Sequence, residues 1–357
     1  MFVAWRDLRF ARGRFLLITA VVALMCVMVG FLSGLTGGLA WQNVSGVLGL
    51  HGDRVVLAPA TSSGTPSFAD SHVSTAQEAD LVAAVPGAEV EPLGISQLRA
   101  VAGDDRAAVA VIGASEAVLA DAPSRDGAVV IAAPAATALG VEAGDTVAIA
   151  GVDFEVEAVV GDLWYSHTPV VRTTIADWRA LAAATGVAAP NATALVVTGA
   201  ADADWSAIGA ATETVSQTPL LALQWLPAFR SEIGSLLLMV ALLFGISALV
   251  VGAFFAVWTL QRIGDIAVLK ALGASDAALR VDALGQAILV LVVGAAVGFG
   301  LVAVLGLLLG GALPFLVSPL TTLLPAAAML VLGLAGAALS LRGVTAADPL
   351  TALGSAR

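Results

Sequence analysis

The chain has 357 residues, 59% of them hydrophobic, a mean hydropathy of +0.96 and a formal charge of −11. This composition places it among membrane proteins and excludes an ordinary soluble domain. With so acidic a balance no nucleic-acid partner is expected, and the one cysteine, Cys26, leaves no intramolecular disulfide possible.

The charge is unevenly spread. Residues 42–232 hold 7 Arg and no Lys against 22 acids, a balance of −15. The rest holds 9 basic residues against 5 acids, a balance of +4. An acidic outer segment with basic cytoplasmic flanks fits the positive-inside rule.

Residues 1–14 are short, basic and amphipathic. Phe2, Trp5 and Leu8 recur every three residues, with Arg6, Arg9 and Arg12 beside them. The pattern predicts a helix lying in the cytoplasmic interface. Residues 15–41 are uncharged and longer than the roughly 20 needed to cross a bilayer, so they read as a retained first transmembrane helix. Gly30, Ser33, Gly34, Gly37 and Gly38 in its second half allow close helix packing.

Residues 42–232 read as an extracytoplasmic mixed α/β domain. Thr61–Ser74 is loop-like. A helix is predicted over Thr75–Val85, ended by Pro86-Gly87. Strands follow at Ala88–Glu91, Gln97–Ala102 and Ala107–Ile112. Val129–Ala132 precedes a helix over Pro134–Leu139, closed by Gly140. Strands at Thr146–Ala150 and Asp153–Val160 flank Gly151. Val152, Phe154, Val156 and Ala158 alternate with Asp153, Glu155 and Glu157. That alternation predicts a half-buried strand with a solvated acidic face and explains the acids without a metal.

The remaining chain reads as a membrane α-helical protein with four transmembrane helices in all. The second covers residues 233–261. A charged island, residues 262–282, separates it from 59 uncharged residues running to Leu341. Those suffice for a third helix at 283–312, a short outer turn at 313–321 and a fourth helix at 322–341, with Pro314, Pro319 and Pro325 marking the break. Residues 342–357 form a tail placed, like the N-terminus, in the cytoplasm.

The island holds Arg262, Lys270 and Arg280, which place it on the cytoplasmic side. Ile263, Ile266, Val268/Leu269 and Leu272 recur at helical spacing, and Gly273 suits a C-cap. A short amphipathic helix between spans is where a transporter can meet a soluble motor. Spans two to four hold no Asp, Glu, Lys, Arg or His. Ionisable groups at membrane depth usually carry function, so their absence argues against ion-coupled carriage and against an intramembrane protease. The chain has no G-x-x-x-x-G-K-[ST], so ATP must be used by another polypeptide.

Arg262, Asp265-Ile266-Ala267 and Leu269-Lys270-Ala271-Leu272-Gly273-Ala274-Ser275 resemble the cytoplasmic loop of FtsX-like permeases, commonly R-x-x-E-I-x-x-L-[KR]-A-[LI]-G-A-[ST]. Asp265 stands where Glu is usual. Asp348-Pro349-Leu350-Thr351-Ala352-Leu353 resembles that family's terminal D-P-x-x-A-L. Residues 136–147, A-x-x-L-G-V-x-x-G-D-T-V, resemble the outer portion of macrolide-efflux and lipoprotein-releasing permeases. The resemblance implies the membrane subunit of an ABC exporter in the cell membrane. It implies a second copy of the chain and a separate ATPase dimer, carrying ATP-Mg, docked through Arg262, Asp265, Leu269, Lys270, Gly273 and Ser275. No intrinsic cofactor and no catalytic residue are expected.

The segment Gly161–Val171, GDLWYSHTPVV, followed by Asp177-Trp178, resembles haem-exporting permeases of Gram-positive bacteria. That resemblance implies haem as cargo, whose iron takes His, Met, Tyr or Cys ligands. Met25 and Met28 lie three apart on one face of the first span. Tyr165 and His167 lie two apart on an extended stretch, hence on one side of a strand. Glu232 lies at the outer mouth of the second span and could meet a propionate or the iron. Helix packing or lipid contact accounts for either methionine better than a ligand role does, and a structural role before Pro169 accounts equally for His167. His51 and His72 are assigned nothing. A lipid, a lipoprotein or a hydrophobic antibiotic is the alternative cargo. Mechanotransmission to an extracellular cell-wall hydrolase is the alternative of another class.

Overall fold

The computed structural model describes residues 12–60, 64–187, 191–261, 264, 268, 272–309 and 313–345. The chain divides into two compact units, a helical one (residues 1–38 and 235–357) and a sheet-rich one (residues 39–234). In chain order the described elements begin with α1 (Arg12–Val44), β1 (Arg54–Leu57), α2 (Thr75–Ala84), β2 (Glu89–Ala102), β3 (Asp105–Gly113), β4 (Ala128–Ala132) and α3 (Ala133–Leu139). They continue with β5 (Thr146–Ile149), β6 (Val152–Val160), β7 (Trp164–Tyr165), β8 (Thr168–Thr173), α4 (Ile175–Ala184), β9 (Ala194–Thr198), α5 (Trp205–Thr212) and β10 (Val215–Gln217). Last come α6 (Pro219–Ala222), α7 (Pro227–Gln261), α8 (Asp276–Leu309) and α9 (Pro319–Thr345).

Helices α1, α7, α8 and α9 are long and apolar enough to cross a membrane. Glycines let pairs of them approach closely. A Cβ at Gly298 of α8 would lie 2.5 Å from Cys26 Cβ of α1, and one at Gly30 would lie 2.8 Å from the Phe299 ring. On the other pair, a Cβ at Gly336 of α9 would lie 3.1 Å from Gly252 Cα of α7. Such small-residue contacts supply the dispersion that holds helices together in lipid. Phe15, Val22, Cys26, Val251, Phe255, Leu291, Phe299 and Met329 fill the space between them. Phe15 meets Trp258 edge-on at 5.0 Å.

Two details differ from the sequence reading. Pro325 does not mark the break but sits inside α9. As the seventh residue of α9 it lies past the first turn, so the helix forgoes one i→i−4 bond there. Helix α8 starts at Asp276, earlier than its uncharged run, because Ser275 caps it: Ala278 N donates to Ser275 Oγ at 3.3 Å and Leu279 N to Ser275 O at 3.1 Å.

In the sheet unit the strand order is β10-β1-β9-β2-β3-β8-β4-β6-β5. A further β2–β5 pairing at Ala100↔Ile149 and Val101↔Ala148 closes β2, β3, β8, β4, β6 and β5 into a six-stranded barrel. The pairs β3–β8 and β4–β6 are parallel and the other barrel pairs antiparallel. Val109, Val111, Ile131, Val147, Ile149, Phe154, Val156 and Val171 are among the buried residues packed with it. Phe154 and Val156 are buried and Asp153, Glu155 and Glu157 exposed, as the alternation requires, while Val152 at the strand start is exposed.

Where two strands were expected, β2 is one strand of 14 residues. Its first half pairs with β9 and its second with β3. The changeover is at Gly94, where Thr193 Oγ1 accepts from Ile95 N at 2.9 Å and a Cβ would collide with the Trp178 ring. Strands β10, β1, β9 and β2 thus form a second sheet. Helices α2 and α5 cover it through Leu81, Val85 and Trp205. Local signals act as expected elsewhere. Ser74 and Gln77 form a capping box on α2. Gly140 ends α3 at φ +63°. Ala150 and Gly151, both at positive φ, make the two-residue turn of the β5–β6 hairpin.

Candidate functional site

Residues 39–44 of α1 belong to the sheet unit. A helix leaves its last carbonyls without intrahelical partners. Here two of them are taken by a turn from distant sequence: His167 N donates to Gln42 O at 2.9 Å and Ser166 N to Asn43 O at 3.0 Å. Further bonds hold the same contact. Gly46 N donates to Trp164 O at 2.7 Å, Trp164 N to Ser45 Oγ at 2.8 Å and Trp41 Nε1 to Asp162 O at 2.9 Å.

Strands β7 and β8 pair at Tyr165↔Thr168, so Ser166 and His167 are the two central residues of a hairpin turn. Their φ angles of +46° and +62° are those of a left-handed turn. This overturns the expectation that Tyr165 and His167 share one side of a strand. The turn reverses the chain between them. Tyr165 enters the core with Val44, Val47, Ile112 and Val170, only 6% exposed, and burial pushes its phenol well above its ordinary pKa. His167 faces outward.

At the turn His167 Nε2 lies 2.8 Å from Glu232 Oε2, near the start of α7. Asn43 Nδ2 donates to the same carboxylate oxygen at 2.9 Å and to Leu39 O at 3.1 Å, and lies 3.2 Å from His167 Nε2. His167 Nδ1 faces Gln42 Oε1 at 3.4 Å. The His167 and Glu232 side chains are 38% and 29% exposed, so their pairing adds little stability and its interest is chemical. One imidazole and one carboxylate, half open to the surroundings and braced by a buried amide, can ligate a metal centre that arrives with ligands of its own. Among the described residues no group of three or more His, Cys, Asp or Glu side chains could hold a bare metal ion.

The other candidates lie elsewhere. Met25 is half-buried in the helical core with Ser247 Oγ 3.7 Å from its sulfur, while Met28 is exposed. Three residues along a helix turn the side chain by about 300°, leaving the two about 60° apart on its circumference. Of the expected ATPase-docking residues, Arg262, Asp265, Leu269 and Lys270 lie outside the described residues. Gly273 has φ +94°, the conformation expected of a C-cap glycine, and Leu272 N donates to Val268 O at 3.0 Å. Ser275 caps α8. Sequence reading overlooked Gln42 and Asn43, which look like the ordinary polar end of an apolar run. It also assigned nothing to His72, which with Phe68, Ser96 and Trp178 lines a cavity of about 580 Å³ in the sheet unit.

Residues 231–349 match the FtsX-like permease C-terminal family. Over that segment, a third of its length, the chain therefore carries an FtsX-like permease domain. Among curated relatives it is similar to a protein of Staphylococcus haemolyticus named as the hemin transport system permease HrtB, 25% identical over 368 residues and 99% of each chain. A namesake from Staphylococcus epidermidis is 24% identical over 363 residues, again 99% of each chain. Among solved structures, the periplasmic region of MacB from Actinobacillus actinomycetemcomitans superposes with a TM-score of 0.36 at 13% identity, covering 51% of this chain and 95% of that one. The extracellular domain of YknZ from Gram-positive bacteria gives 0.33 at 13% identity, covering 48% and 91%.

Proposed function

We propose that this permease exports haem, with His167 and Glu232 as the residues that meet it. The observation that carries the proposal is full-length similarity to permeases named for hemin transport, combined with an accessible imidazole–carboxylate pair. Haem is a planar amphiphile that partitions into the bilayer. His167 supplies an iron ligand once its Nε2 parts from Glu232, and the Glu232 carboxylate, still held by Asn43, is the second candidate ligand. Met28, exposed on α1, is an alternative iron contact. Tyr165 is withdrawn from that role, since its buried phenol cannot reach a cargo without dismantling the core around it.

In this reading residues 42–232 face the exterior and both termini face the cytoplasm. Two copies of the chain work with a dimeric ATPase that docks on residues 262–275. That ATPase carries ATP-Mg, and the permease needs no cofactor of its own.

The test is a haemin titration of the purified permease–ATPase complex in nanodiscs, read by the Soret band with ATP turnover in parallel. Saturable binding is expected, lost or spectrally shifted in His167→Ala, weakened in Glu232→Gln and unchanged in Tyr165→Phe. A band lost instead in Met28→Ala moves the ligand to α1. Absence of specific binding and of any change in turnover would sink the haem reading.

A further inference from the structure

We propose that the last turn of α1 positions the cargo site, with Gln42 selecting the His167 tautomer and Asn43 holding Glu232 once His167 turns to the iron. The inference rests on the haem reading.

In the structure His167 Nε2 is engaged by Glu232 Oε2 at 2.8 Å. A histidine that ligates through one ring nitrogen carries its proton on the other, and the group receiving that proton fixes tautomer and ring orientation. Nε2 offers its lone pair to iron only in the tautomer that carries the proton on Nδ1. The ring is accessible, so the two tautomers exchange through solvent. The group facing Nδ1 is Gln42 Oε1, an acceptor at 3.4 Å. Gln42 also fixes the backbone beneath the ring, since its carbonyl accepts His167 N at 2.9 Å.

Asn43 answers the second need. Its Nδ2 lies against two acceptors, Leu39 O and Glu232 Oε2, so turning the amide over would set Oδ1 against both oxygens. Its own Oδ1 is buried with no hydrogen-bond partner among the described residues, an arrangement proteins seldom tolerate. The amide is therefore held in place by its donor side. That donor does not depend on His167. When the imidazole leaves for the iron, Glu232 keeps the Asn43 N–H and stays where the cargo arrives.

Gln42 is half-buried and Asn43 fully buried, so Gln42 is the safer site to change. Haemin titration of the permease–ATPase complex is compared for wild type, Gln42→Leu, Gln42→Glu, Asn43→Ala and His167→Ala, with haemin-free ATP turnover as the check on folding. Loss of an outer-shell partner weakens metal affinity by about 10–100-fold. Gln42→Leu should bind haemin about tenfold more weakly with the Soret maximum unmoved, because the ligand is still His167. Gln42→Glu, which keeps an acceptor at Nδ1, should restore affinity. Asn43→Ala should weaken binding with the same unmoved spectrum. If Gln42→Leu and Asn43→Ala bind as wild type while His167→Ala loses the band, the positioning role is wrong and the haem reading stands. If His167→Ala itself binds as wild type, the ligand assignment and this inference fall together.

Discussion

Tyr165 is the chain's single tyrosine, so its ionisation can be read without ambiguity. Burial raises its pKa above the ordinary 10.0, which means the folded state keeps the phenol proton where the unfolded state has lost it. Between those two values the folded state binds more protons, so stability falls as pH rises. Below pH 10 the contribution is constant. Thermal melting followed from about pH 8 to about pH 11 should therefore show a loss beginning near pH 10, approaching roughly 1 kcal/mol per pH unit, absent in Tyr165→Phe. Tyrosinate absorbance should appear with unfolding and not before it. Tyr165 and His167 also mark what one residue of separation hides. Their spacing suggested a shared face. What decided otherwise was the left-handed pair Ser166-His167, which carries no glycine or asparagine to announce a turn. The bonds from Ser166 N and His167 N to the end of α1, more than 120 residues earlier, stabilise it.

At the scale of elements, the long helices depend on what small residues permit. Gly298 faces Cys26 and Ala23 so closely that any side chain must push α8 off α1. Gly298→Leu is expected to destabilise the helical unit by about 1–3 kcal/mol, seen as a lower melting temperature and a lower detergent-resistant yield. Gly300 on the same helix has open space at its Cβ, so Gly300→Leu should have little effect. If both variants behave alike, close packing at Gly298 is not what holds the pair. The sheet elements were legible where turn chemistry is local, as at Pro86-Gly87, Gly140 and Ala150-Gly151. Strand β2 was not legible as one piece because Pro92 and Gly94 look like breakers. They mark the handover from β9 to β3, and Gly94 is small because Trp178 packs on it.

For the molecule as a whole, ATP is used by another polypeptide in the proposed reading, and force enters at the charged island, residues 262–282. Lys270 is the only lysine in the sequence, set in the segment that resembles the family's ATPase-docking loop. Lys270→Glu together with Arg262→Glu should abolish haemin-stimulated ATP turnover of the complex while leaving haemin affinity within about twofold of wild type. Glu232 lies near the start of α7 and Arg262 follows that helix's last residue, so binding and coupling should separate in this variant. Loss of both together would mean that the loop also shapes the cargo site.

Four membrane helices, a single large insertion between the first two and the absence of an ATP-binding loop were determined by sequence alone. The physical reason is that bilayer thickness and the cost of burying charge act on contiguous residues, so their imprint is linear. The closure of β2, β3, β8, β4, β6 and β5 into a barrel was decided only in three dimensions, because it needs Val101 to meet Ala148 across chain that carries no record of the pairing. The same holds for the knot of Asn43, His167 and Glu232. Those residues are separated by 124 and 65 positions, and only the folding of the last turn of α1 against a hairpin and the start of α7 makes them neighbours.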